Sequence, residues 1–205
     1  MYALVENNQI TKLINNPKSL VIGDVNYPAK IFSVWSQSEL NAIGIYEVIT
    51  DLTNKKDEAW YINTNESYAF ADNQVTRSWG SATAKAHADT TWTQQDSDDG
   101  LIPSDKSIGD IKTRGLKYNL IQNIKKQAAG ILKDTDWYVV RKADAGTEVP
   151  SAITTHRAAV RTKCAEMETA ITNASDTPAL ETLYKYTTTD GVQSRPLGEL
   201  PRLES

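Results

Sequence analysis

Residues 131–171 read ILKDTDWYVVRKADAGTEVPSAITTHRAAVRTKCAEMETAI, and the parsing of this stretch decides the fold. It opens on the end of a helix, passes a turn carrying Asp134 and Trp137, and enters a second helix at Pro150, where a proline forfeits no backbone hydrogen bond. Two helices joined by so short an irregular segment are expected to pack as an antiparallel hairpin, with Trp137 as the wedge. From Ile153 onward Val160, Cys164, Met167, Ile171 and Ala174 repeat at seven-, four- and three-residue steps. That is a narrow apolar stripe suited to a coiled-coil seam. Either the preceding helix or another chain can fill it. Trp137, Ile153, Val160, Cys164, Met167 and Ile171 are therefore the expected protein-interface residues.

Upstream, Ser107 can cap a helix, and Ile108, Ile111, Leu116, Leu120, Ile121, Ile124, Ala128, Ile131 and Leu132 follow helical spacing. The spacing predicts a helix over residues 108–132. Trp137–Val140 reads as a turn and Lys142–Glu148 as a mobile connector. Beyond the second helix Pro178 starts a brief helix through Tyr184. Residues 185–205 have no periodicity and read as an extended arm, either frayed or ordered along a neighbouring subunit.

At the other end Tyr2–Val5 and Ile10–Ile14 alternate apolar and polar side chains about Asn7-Asn8, which predicts a β-hairpin. Loops follow to Ser36, where Ser36-Gln37-Ser38-Glu39 forms a capping box for a helix over Gln37–Ile43. Ile45–Ile49 reads as a strand. Residues 1–52 thus make a β-β-α-β unit with Leu4, Ile10, Leu40, Ile43, Ile45 and Val48 in one small core. Residues 53–106 hold a three-stranded meander (Ala59–Ile62, Ser67–Ala71, Gln74–Trp79) and an irregular loop, residues 107–184 the helical hairpin. The fold class is α+β.

The stretch around Trp137 resembles the C-terminal segment of tailed-phage tail assembly chaperones and fibre-associated tail proteins. In that family a helix ends in Leu-x-x-Thr-Asp-Trp and a Tyr/His-Arg-x-Ala-Val/Leu-Arg helix follows. The matching positions are Leu132, Thr135, Asp136, Trp137, Arg141, Pro150, His156, Arg157, Ala159, Val160 and Arg161; many members have an aromatic residue where this chain has His156. The opening YALVENNQITKL is similar to the first hairpin of such proteins. The resemblance implies a non-enzymatic tail component made in the host cytoplasm and present in the virion. It would connect the tail fibre or baseplate to other tail proteins, or assemble as a dimer or trimer. Two alternatives are a transient assembly chaperone that leaves before the virion matures, and a receptor-binding module for host glycans. The last would use Trp35, Trp60, Tyr61, Tyr68, Phe70, Trp79 and Trp92 as a stacking platform; the plainer reading packs these rings within a small sheet.

Composition narrows the remaining classes. A chain of 205 residues, 40% hydrophobic and 23% charged, is long enough to bury a core. A net charge of -4 gives no electrostatic reason to expect nucleic acid as a partner. No apolar run is long enough to suggest a membrane span, and Met1-Tyr2 opens without a basic leader. The single cysteine, Cys164, excludes an internal disulfide and reads as a small buried hydrophobe. The acidic run Asp96–Gly100 departs from calcium-loop spacing and reads as a solvated loop. His87 and His156 are lone imidazoles, no phosphate loop or nucleophile elbow is present, and nothing singles out a carboxylate pair. No catalytic residue, cofactor or metal is expected.

Overall fold

The computed structural model describes residues 1–203, and the chain is α+β. It divides into two compact units, Met1–Thr83 and a second from Ala84 onward. In the first unit β1 (Tyr2–Glu6) and β2 (Gln9–Ile14) form the expected hairpin. Asn7 and Asn8 take φ values of 54° and 62°, the left-handed turn conformation that suits the twist of the flanking strands. The loops expected next contain a second hairpin, β3 (Leu20–Ile22) and β4 (Val25–Tyr27), turning at Gly23-Asp24, and a single helical turn, α1 (Ile31–Val34). Helix α2 (Gln37–Ala42) starts at the Ser36–Glu39 capping box as read. Gly44, at φ 82°, then lets the chain pass so close to β1 that a Cβ would lie 2.6 Å from the Val5 carbonyl oxygen.

Strand β5 (Ile45–Thr50) pairs antiparallel with β1 and parallel with a later strand. After the two-residue β6 (Tyr61–Ile62) come β7 (Ser67–Ala71) and β8 (Gln74–Ser78), which turn at Asp72-Asn73. The sheet order is β2-β1-β5-β8-β7. The expected separate meander is therefore corrected: β7 and β8 extend the N-terminal sheet through the parallel β5–β8 pair. A non-local parallel pairing leaves no turn signature in the sequence.

This sheet also splits the expected single core in two. Leu4, Ile14 and Ile45 face Leu20, Ile31 and Leu40, whereas Ala3, Val5 and Val75 lie on the other face with Ile10, Tyr46, Val48 and Phe70. Side chains alternate across a strand, so Leu4 and Val5 must part company. Ile10 and Ile14 separate despite equal parity because the β1–β2 register shifts between Leu4 and Val5, one residue being inserted in β2.

The unit boundary falls within β9 (Thr83–Ala84), and the second unit continues with β10 (Thr90–Thr91), α3 (Gln94–Asp98) and β11 (Ile111–Thr113), which pairs with β10. Residues 107–115 are thus not the first turns of the long helix, which is α4 (Leu116–Lys133). Its free N-terminal amides are met by carbonyl oxygens: Leu116 N–H donates to Ala86 and Lys117 N–H to His87, each at 3.0 Å. The Asp89 carboxylate accepts from Gly115 N–H at 2.8 Å. A Cβ at Gly115 would lie 2.3 Å from the Ala88 backbone, so this crossing requires glycine.

The predicted turn and mobile connector are instead a helix, α5 (Asp136–Ala145), ended by Gly146 at φ 67°. Helix α6 (Ser151–Asn173) follows Pro150, and α7 (Thr177–Tyr184) is capped by the Asp176 side chain. The expected arm over residues 185–205 is corrected too. Through residue 203 it carries a hairpin, β12 (Thr187–Thr189) and β13 (Val192–Ser194), turning at Asp190-Gly191. Leu197 is then buried, and its N–H donates to the Leu183 carbonyl. Residues 204 and 205, part of that arm in the sequence reading, lie outside the described residues.

Candidate protein-interaction site

Helices α4 and α6 pack antiparallel. Lys117 near the start of α4 donates to the Thr172 carbonyl at 2.8 Å, and Lys125 pairs with Glu168 at 3.0 Å. Ile153, Val160, Cys164, Met167 and Ile171 are all buried, Val160 and Ile171 completely, while α4 contributes buried Ile124 and Ala128. The expected interface stripe is thus the second unit's own core, sealed within one chain. Cys164 shares this fate: burial, and then its hydrogen bond to Glu168, push the thiol above its ordinary pKa. It stays protonated and poorly nucleophilic.

Trp137 is the sixth expected interface residue, and the wedge reading of it is corrected. At 51% exposure it stands on the outside of α5, a helix with no buried residue at all. The run Trp137-Tyr138-Val139-Val140 reads as non-helical because aromatic and β-branched side chains favour strands. What fixes it as a helix is Arg157 of α6. Its Nη1 donates to the Leu132 carbonyl and to Thr135 Oγ1, both at 2.7 Å, and its Nη2 donates to Asp136 Oδ1 at 2.9 Å. The guanidinium thereby satisfies a carbonyl at the end of α4 and the carboxylate opening α5, where the helix dipole favours negative charge. With its own side chain buried, Arg157 ties the end of α4 to the start of α5.

Outside this joint, Trp137 and Tyr138 lie with ring centroids 3.9 Å apart, and the Arg141 guanidinium sits 4.7 Å and 5.4 Å from them. Val139 and Val140 are exposed beside them. The sequence reading missed both valines, although at about 3.6 residues per turn Val140 falls one turn from Trp137. A half-exposed indole contributes little to folding. Trp137→Ala is expected to cost less than about 1 kcal/mol, against the 3 to 5 kcal/mol of a buried ring; chemical denaturation measures it.

The other candidate positions resolve into packing. Trp60, Tyr61 and Trp79 are buried, Phe70 stacks with Tyr46 at 4.8 Å, and Trp35 meets Tyr27 edge-on at 5.9 Å. Three of the seven rings therefore offer no face to a glycan. The acidic run folds as α3, with Asp96 turned inward rather than solvated. It closes a capping box with Thr93 and pairs with Lys112 on β11. Lys112, the Thr93 backbone amide and the Thr93 hydroxyl hold the Asp96 carboxyl down at about 2, against its ordinary 3.8. A depressed folded pKa adds stability that is complete above the ordinary value and lost as pH falls from 3.8 through about 2. Denaturation midpoints above and below that window are expected to differ less in Lys112→Met than in the wild type.

His156 is buried in α6, and the His87 carbonyl caps α4. Among the described residues no group of three or more His, Cys, Asp or Glu side chains is placed to hold a metal, and no helix is long and apolar enough to cross a membrane. Comparison with protein-family models, curated proteins and solved structures finds no match to this chain.

Proposed function

We propose that the chain is a tail component of a tailed bacteriophage, a fibre or baseplate connector that works by protein–protein contact and turns over no substrate. The observation that supports this reading is the Arg157 joint. Leu132, Thr135 and Asp136 from one half of the phage-tail signature and Arg157 from the other lie 21 to 25 residues apart, yet form one hydrogen-bonded unit. The resemblance therefore falls on residues that act together. With the α6 stripe consumed internally, contacts to other tail proteins, or to further copies in a dimer or trimer, fall on the outer surface of α5. The net charge of -4 argues against nucleic acid as the partner.

Mass spectrometry of purified particles tests the reading. The connector predicts the chain at a fixed stoichiometry with fibre or baseplate proteins. Absence from particles, with recovery in complexes from infected cells, would favour the transient chaperone instead. Absence from both would remove the tail assignment.

A further inference from the structure

Glycine after an aspartate removes the side chain that would otherwise shield the next backbone nitrogen and stiffen the chain there. No asparagine in this sequence precedes a glycine, and aspartate does so at two places, Asp99-Gly100 and Asp190-Gly191. All four residues are exposed, so access to water does not separate the two dipeptides. Hydrogen bonding does.

At the end of α3 both groups of the dipeptide that could react with each other are occupied. The Asp99 carboxylate accepts from Gln95 Nε2 at 2.9 Å, and the Gly100 N–H donates to the Ser97 carbonyl at 3.0 Å. The Leu101 N–H then donates to the Asp96 carbonyl at 2.8 Å, which closes the backbone around Gly100. At the tip of the β12–β13 hairpin neither group is held. Among the described residues the Asp190 carboxylate has no hydrogen-bond or ion-pair partner, and the Gly191 N–H has no acceptor. The two strands are 3 residues each and bury none of them. A two-stranded hairpin without a buried face is marginal in water, so this one opens at little cost. Opening frees the turn from its left-handed conformation, φ 52° at Asp190 and 76° at Gly191.

We propose that Asp190 is a site of spontaneous isomerisation to isoaspartate, and that Asp99, in the same dipeptide, is not. The Gly191 nitrogen bonds to Asp190 Cγ. The Cγ–OH bond breaks, and the hydroxyl departs as water with the proton that the amide gives up. The five-membered cyclic imide so formed then takes up one water. Addition at Cγ restores aspartate, whereas addition at the Asp190 main-chain carbonyl carbon breaks its bond to the Gly191 nitrogen and leaves the chain running through Cβ and Cγ. No oxidant or reductant takes part. The product puts one more carbon into a two-residue turn, at odds with the Thr189–Val192 pairing that closes it. Nothing in this chemistry depends on the tail assignment.

The test is to hold the full-length chain at neutral pH and physiological temperature for several weeks in water enriched in oxygen-18. Peptide mapping with electron-transfer fragmentation then tells isoaspartate from aspartate and locates the label. Isoaspartate and label are expected at Asp190 at several-fold the level found at Asp99. In a sample unfolded in guanidinium the two sites are expected to react alike, since the protection of Asp99 belongs to the fold. Asp190→Glu, which would have to close a six-membered imide, is expected to abolish the signal at that site, with circular dichroism confirming that the chain still folds. Equal isomerisation of the two sites in the folded chain, none at Asp190 where the unfolded sample shows it, or a lead of Asp190 that persists on unfolding would each overturn the inference.

Discussion

Val160→Asp is expected to unfold the second unit, not merely to disturb an assembly. Val160 is 0% exposed on the α6 face that meets α4. The change forfeits about 1.5–3 kcal/mol of apolar burial and places in its stead a carboxylate with no partner, which must protonate, drag in water or push the helices apart. A total of about 4 kcal/mol or more is the expected loss. Against net stabilities of about 5–15 kcal/mol for a domain, that is enough to collapse soluble yield or bring the unfolding midpoint near ambient temperature. Val140→Asp is the matched control. The same chemical change at 65% exposure on α5 is expected to cost no more than about 0.5 kcal/mol. Equal tolerance of both in thermal or urea unfolding would mean that the α6 stripe is not a core.

Arg157→Met carries the second large effect, for a different reason. Methionine keeps most of the aliphatic volume, so the loss isolates the three donated hydrogen bonds. Thr135 retains its own bond to the Leu132 carbonyl at 3.0 Å, and Asp136, with a side chain 55% exposed, rehydrates easily. The cost therefore falls below that of a fully buried pair, at about 3 kcal/mol. It is expected to appear first as faster hydrogen exchange through α5, whose first turn Arg157 holds through Asp136, and only then as a lower unfolding midpoint. Arg157→Lys should restore little, since an ammonium cannot span three acceptors from one planar edge. Unchanged exchange in α5 would show that Arg157 is not its anchor.

Much of the fold is legible where a local physical rule acts alone. Asn7-Asn8 specifies the first hairpin through its left-handed backbone, Ser36 and Glu39 start α2 by satisfying each other's amides, and the stripe from Ile153 to Ile171 marks one side of α6. Misreadings arise where distant contacts decide. Ile108 and Ile111 match the helical period of α4 by coincidence, but Ile111 pairs in a strand with Thr91 and Gly115 is pinned against Ala88. Asp190-Gly191 carried a hairpin signal as strong as that of Asn7-Asn8, yet the three-residue strands beside it have too little apolar content to advertise themselves. Helix α5 was hidden because its own residues favour strands, and the side chain that holds it belongs to another helix. Of the six expected interface positions, five satisfy the same periodic pattern whether the covering surface is internal or foreign, so spacing alone cannot distinguish the two. Trp137 reads as the wedge of a hairpin, and nothing local marks that it stands on a helix with its indole half exposed.

The central claim, that α6 is covered by α4 of the same chain, is tested most directly by amide hydrogen exchange across a wide range of protein concentration. The account predicts that α6 amides are among the slowest to exchange and that their protection is the same in dilute and concentrated samples. Protection of α6 that fades on dilution, while α4 and α7 remain protected, would mean that its stripe is covered by a neighbour and would contradict the account.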